Sequence, residues 1–245
     1  MIGARPPGIA CRNLGLSFGQ RTIFQHLSVD IAPGSFVALL GASGSGKTSL
    51  LKIIAGLAAP DAGTVSGSDG RPLAGRIAWM GQRDLLYPWL TVMDNIMLGA
   101  RLRGEKGDRE WATHLLERVG LSGHGKVLPA ALSGGMRQRA AIARTLYERR
   151  PVVLMDEPFS ALDTLTRAKI QTLAAELLVD NTVLLITHDP MEACRLSHRL
   201  LVLAGSPAHI DDSHTLVGQP PRAPDDPNLL TSQGELMRQL VRAAE

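Results

Sequence analysis

Five short runs of the chain are almost uninterruptedly apolar: Ser35–Leu40, Arg76–Met80, Val152–Met155, Val183–Ile186 and Leu200–Leu203. Each gives way to polar residues or glycine, and most lead into a helical pattern. Strands buried on both faces read as continuous apolar runs, whereas half-solvated strands alternate, so these segments predict a mostly parallel sheet covered by helices on both sides. The first thirty residues differ: Leu14–Phe18 and Leu27–Ile31, separated by turn residues, predict an antiparallel β lead-in. Between Gln82 and Arg150 the strand signals stop, and helical periodicity over Val92–Leu102, Arg109–Val119 and Gly134–Glu148 predicts a helical subdomain inserted into the α/β core. The Pro- and Asp-rich stretch Gln219–Pro227 then introduces a terminal helix from about Leu229 to Ala243. The expected division is one domain over 1–245, with a core of 1–82 and 151–205, a helical subdomain at 83–150 and a C-terminal strap at 206–245.

Composition narrows the class. With 44% hydrophobic and 20% charged residues the chain is an ordinary water-soluble globular protein, which excludes disorder, collagen and coiled coil. The 26 basic and 23 acidic side chains leave +3, spread without a basic tail or stripe, so no nucleic-acid partner is announced. Cys11 and Cys194 lie far apart, neither in a CxxC pair, and are expected to be buried thiols rather than metal ligands or a disulfide. Met1–Pro7 lacks the apolar core of a signal peptide, and no apolar run reaches the roughly 18 to 20 residues of a membrane helix. The expectation is a cytoplasmic chain, free to dock on a partner in a membrane.

The chemistry concentrates in three places. Gly41-Ala-Ser43-Gly44-Ser45-Gly46-Lys47-Thr48, with a strand before it and a helix over Lys47–Ala55 after it, matches the GxxxxGK[ST] phosphate-binding loop. Glycines let backbone N–H groups close around phosphate oxygens, the helix N-terminus adds about half a positive charge, Lys47 supplies a full one, and the Thr48 hydroxyl, followed by Ser49, offers a ligand for Mg2+. The strand Val152–Met155 ends in Asp156 and Glu157, and ligands of open parallel sheets bind beyond the carboxyl ends of strands. Asp156 is therefore expected to hold Mg2+ and Glu157 to act as general base on the water attacking the γ-phosphate of ATP. Finally, Leu132-Ser133-Gly134-Gly135-Met136-Arg137-Gln138 opens a helix with Ser133 as its N-cap and two glycines where a phosphate could approach. Lys47 already serves the γ-phosphate, so this second anion site is expected to serve a nucleotide held by another copy of the chain.

The phosphate loop, LSGGMRQRA and VVLMDEP, in that order, resemble the ATP-binding-cassette ATPases over about Ala10 to Leu203. The resemblance implies a P-loop NTPase (RecA-like) core and a head-to-tail pair of copies with two ATP molecules sandwiched between the loop of one and the signature sequence of the other. It also implies that Gln82 touches Mg2+ and the attacking water, that Asp163 in Ser160-Ala-Leu-Asp163 crosses the dimer interface, and that His188 contacts the γ-phosphate. Where the family commonly stacks a tyrosine on adenine, this chain has Phe18, which stacks without a hydroxyl.

Leu85-Leu-Tyr87-Pro-Trp89-Leu-Thr-Val-Met93-Asp-Asn95 follows Gln82 directly, and large apolar and aromatic residues around a proline suggest a patch awaiting a partner. In the family this stretch receives a helix of the membrane subunit. Its wording, with Gly134-Gly-Met-Arg-Gln-Arg139 in the signature, is similar to importers of nitrate, sulfonate and taurine, and most to those assigned to hydroxymethylpyrimidine, a thiamine precursor. The implied partners are a second copy, membrane permease subunits on whose cytoplasmic face the chain sits and, through the complex, a solute-binding protein. An exporter ATPase and a soluble ATP-driven clamp on nucleic acid or ribosomes are the competing classes.

Overall fold

The computed structural model describes residues 5–242, and of 211–214 only the backbone; the expected helix end at Ala243 lies outside the described residues. The chain divides into two compact units, one made of the residues up to Ile77, Pro151–Asp156 and Leu178 onward, the other of Ala78–Arg150 and Glu157–Leu177.

In the first unit the apolar runs form the expected sheet. Strand β3 (Phe36–Gly41) lies between β7 (Thr182–Ile186) and β8 (Arg199–Ala204), parallel to both, with Phe36 opposite Val183 and Gly41 opposite Leu203. β6 (Val152–Asp156) pairs in parallel with β7 on its other side. Every residue of β6 and β7 and the first five of β3 are buried, which is why their sequences lack alternation. The lead-in is a separate antiparallel sheet in which β1 (Ile9–Phe18) pairs with β2 (Arg21–Ile31) and with β4 (Ala62–Gly67).

Two strands carried no signal that apolar patterning detects. β4 is Ala-Gly-Thr-Val-Ser-Gly and mostly solvent-facing, and β9 (His209–Thr215), antiparallel to β8, is polar. β9 falls within the strap, which ends in helix α8 (Pro227–Arg242). Leu229 and Leu236 of α8 pack on Ala193 and Cys194 of α7 (Pro190–Leu196). Arg222, buried between these elements, donates to the carbonyls of Cys194, Ser197, Val217 and Gly218 at 2.7–2.8 Å, so its guanidinium satisfies backbone acceptors instead of an acid.

The second unit is mainly helical. The chain enters it along β5 (Ile77–Met80). The pattern over Val92–Leu102 predicts one helix, but two form, α2 (Val92–Ile96) and α3 (Leu98–Leu102), because Met97 at φ −85°, ψ 2° leaves the helical basin. α4 (Arg109–Arg118) and α5 (Gly134–Tyr147) match their expected spans closely, and α6 (Thr164–Leu177) completes the unit. Capping explains the starts: Thr91 accepts from the Asp94 N–H, Asp108 from Trp111 and Ser133 from Met136. Among the described residues no helix is long and apolar enough to cross a membrane.

Candidate active site

In the first unit, β3 ends at Gly41, the chain turns through Ala42–Gly46, and α1 (Lys47–Ile54) begins. Gly46 sits at φ 103°, where a Cβ would come 2.5 Å from Cγ2 of Ile23; Gly41, at φ 148°, would drive a Cβ into the carbonyl oxygen of Leu203. Bare backbone is therefore a steric requirement at both ends of the loop. Lys47 folds back across it, its ammonium donating to the carbonyls of Gly41 at 2.9 Å and Ala42 at 2.8 Å. The Ser45 hydroxyl is buried with no hydrogen-bond partner among the described residues. A buried orphan hydroxyl, a lysine at the loop and a helix N-terminus with no acidic residue in its first turn fit an oxyanion such as phosphate.

Behind the loop, Thr48 Oγ1 donates to Oδ2 of Asp156 at 2.7 Å, which brings together a hydroxyl from α1 and a nearly buried carboxylate from the end of β6. Among the described residues no group of three or more His, Cys, Asp or Glu could hold a metal unaided. One carboxylate and one hydroxyl suit Mg2+, which takes few protein ligands and completes its shell with water and phosphate oxygens. His188, exposed, follows β7; its neighbour Asp189 caps α7 by accepting from Met191 at 2.9 Å, and Thr187 Oγ1 accepts the Asp189 N–H at 3.0 Å. Phe18 ends β1 with 62% of its surface exposed, leaving a ring face open for stacking.

The second unit carries the remaining candidates. Glu157 has φ 48°, a left-handed conformation that costs a non-glycine residue on the order of 1–3 kcal/mol. The following turn holds it: the Ser160 hydroxyl donates to the Glu157 carbonyl at 3.0 Å, and the buried Gln138 amide donates to the Pro158 carbonyl at 2.8 Å. Gln138, expected at the nucleotide, thus spends these bonds on the backbone beside Glu157. Ser133 and Gly134 are exposed at the start of α5, and a Cβ on Gly135 would stand 3.2 Å from the Ala161 carbonyl oxygen. Asp163 accepts from the Thr166 N–H at 3.0 Å, which holds its carboxyl below the usual range, and Gln82 is exposed.

Beyond Gln82 the chain lines a groove of about 540 Å3 with Leu85, Tyr87, Pro88, Leu98 and Leu102. Tyr87 and Trp89 meet edge-on with ring centroids 5.3 Å apart, and Trp89 is 71% exposed. Two residues that shape this groove were not given roles by their sequence alone. Asn95, fully buried, bonds four backbone groups of the loop, and Arg144 bonds two more. A polar residue on the apolar face of a short helix is the only sequence trace of the first.

The sequence profile of the ABC transporter family matches residues 24–160, more than half the chain. The chain belongs to the ABC transporter family. It is 43% identical over 237 residues to an uncharacterized ABC transporter ATP-binding protein of Haemophilus influenzae, covering 95% of this chain and 98% of that one. It is also 43% identical to the aliphatic sulfonates import ATP-binding protein SsuB of Delftia acidovorans, covering 94% and 92% of the two chains. A dimeric bacterial ABC transporter cassette, MJ0796, matches with a TM-score of 0.76 at 30% identity, over 86% of this chain and 99% of that one, and the same cassette has been solved in a post-hydrolysis state bound to ADP and Pi. The P-loop NTPase fold expected from the motifs is therefore borne out, and this cassette, like its homologues, binds and hydrolyses ATP.

Proposed function

We propose that this cassette is the ATP-hydrolysing subunit of an importer, working as a head-to-tail pair on the cytoplasmic face of the cell membrane. The observation that carries the membrane partner is the exposed aromatic groove immediately after Gln82, a surface that an isolated enzyme has no use for. Lys47, the loop N–H groups and Ser45 bind the phosphates of ATP, and Phe18 stacks on the base. Thr48 and Asp156, with Gln82, would hold Mg2+, which would supply charge neutralisation at the phosphates. Glu157 takes the proton of the attacking water and His188 steadies the γ-phosphate, while Ser133, Gly134 and Gly135 of the second copy meet the same nucleotide and Asp163 lies at the junction between copies. Dimeric MJ0796 supports the pairing.

The cargo is read by other chains, a permease and a solute-binding protein, so only likeness informs it. Named relatives at 40–43% identity import aliphatic sulfonates, which makes a sulfonate the first candidate. Hydroxymethylpyrimidine rests only on the wording of residues 85–95 and of the signature, and none of the relatives cited above names it. The test is reconstitution in vesicles with the permease and loaded binding protein. Trp89→Asp should keep basal ATP hydrolysis and lose stimulation by the loaded complex; unchanged stimulation sinks the groove assignment. Stimulation by hydroxymethylpyrimidine and not by an alkanesulfonate would reverse the choice of cargo.

A further inference from the structure

The loop at the mouth of the groove is anchored to two helices at once. On one side Asn95 of α2 accepts the Tyr87 N–H at 2.7 Å and donates to the carbonyls of Tyr87, Leu90 and Thr91 at 3.0–3.1 Å. On the other, Arg144 in the last turn of α5 donates to the carbonyl of Asp84 at 2.6 Å and to that of Leu85 at 2.8 Å. Leu85 has φ 48°, a conformation that branched side chains avoid unless held, so the chain would not rest there unaided. A guanidinium presents its N–H groups in a fixed fork that can bridge two successive carbonyls, a geometry an ammonium lacks. Burial pushes the Arg144 guanidinium below its usual range, the mark of a cation that has given up water for these bonds.

α5 grips more than this loop. Two turns before Arg144, on the same face, Arg137 meets the Asp84 carboxylate at 3.2 Å and donates to the Leu132 carbonyl at 2.8 Å. The next residue, Gln138, holds the Pro158 carbonyl beside Glu157. The N-terminus of the helix is the Ser133-Gly134-Gly135 signature, and Arg144 lies about 16 Å further along its axis at 1.5 Å per residue. One rigid helix therefore carries the signature at its start, the Glu157 segment near its first turn and the groove loop at its end. None of these bonds involves the Gln82 side chain.

We propose that Arg144 is a positioning residue that fixes the groove loop to the signature helix, so that displacement of α5 on ATP binding reaches Tyr87 and Trp89 by a route separate from Gln82. This rests on the reading that the signature meets nucleotide. The test uses the full-length chain labelled with 5-fluorotryptophan, the Trp79, Trp89 and Trp111 resonances being assigned by single Trp→Phe variants. Adding Mg-ATP should shift the Trp89 fluorine resonance in the native chain and in Gln82→Ala. Arg144→Ala and Arg144→Lys should both abolish that shift while ATP hydrolysis by the isolated chain stays within about twofold of native, a change under 0.5 kcal/mol. A Trp89 shift that survives Arg144→Ala, is lost in Gln82→Ala although ATP still binds, or is absent from the native chain, overturns the proposal. So does loss of ATP binding itself in Arg144→Ala, measured on the same samples, because the residue would then serve the nucleotide and not the groove. A groove that engages no membrane subunit would sink the importer reading and leave the Trp89 response untouched.

Discussion

Replacing Gly46 by alanine separates the steric demand of the phosphate loop from its conformational demand, because Gly44 provides the control. Both glycines are left-handed, at φ 103° and 77°, but a Cβ on Gly44 meets nothing within 4 Å, whereas on Gly46 it lies 2.5 Å from Ile23 Cγ2. Forcing alanine into left-handed backbone costs roughly 1–2 kcal/mol, partly offset by about 0.4–1 kcal/mol from the stiffer unfolded chain. Gly44→Ala should therefore destabilise by about 1 kcal/mol, while overpacking against buried Ile23 adds roughly 1–3 kcal/mol at Gly46. At about 2–4 °C per kcal/mol for a chain of this size, scanning calorimetry should place Gly44→Ala a few degrees below native and Gly46→Ala roughly 4–16 °C below. Gly46 also starts α1, so the alanine variant should bind ATP at least about tenfold more weakly, a loss of about 1.4 kcal/mol, read with a fluorescent analogue. Equal melting of the two variants would refute the close approach to Ile23.

Three further outcomes can be checked, the first on the pairing of copies and the others on the buried thiols. Lys47→Ala and Ser133→Arg chains should each be inactive alone, and hydrolysis should return when they are mixed, because one site of each mixed pair keeps an intact loop and an intact signature; no return would break the head-to-tail pairing. Burial pushes the thiols of Cys11 and Cys194 up to about 12 and about 11 from an ordinary 9.0. Both should resist disulfide reagents at pH 8 in the native chain. The raised folded values mean that this contribution to stability is complete below pH 9 and is lost as pH rises from 9 toward 12, so the urea midpoint should fall over that range; rapid labelling at pH 8 would contradict the burial.

How much was legible depended on whether a residue's role is local. β3, β6 and β7 announced themselves because both faces are buried, and Lys47, Thr48 and Asp156 because phosphate chemistry dictates residue types at fixed spacing. β4 and β9 stayed hidden because polar or glycine-rich strands carry no apolar pattern. The break at Met97 is a backbone choice that periodicity cannot see. Asn95, Arg144 and Arg222 were illegible for another reason: each satisfies carbonyls brought close by folding, and backbone acceptors leave no mark in sequence. Gln138 was read with the signature it follows, and only the fold displays its bond to Pro158.

The most direct measurement is steady-state ATP hydrolysis by the purified Glu157→Gln chain alongside its ATP affinity. Glutamine cannot take a proton from water, while Lys47, Thr48 and Asp156 remain to bind Mg-ATP. Turnover should fall about 10²- to 10⁴-fold, the usual cost of losing a general base, with ATP affinity little changed. Turnover near that of the native chain would contradict the role given to Glu157 and, with it, the assignment of the carboxylate pair at the end of β6 as the hydrolytic centre.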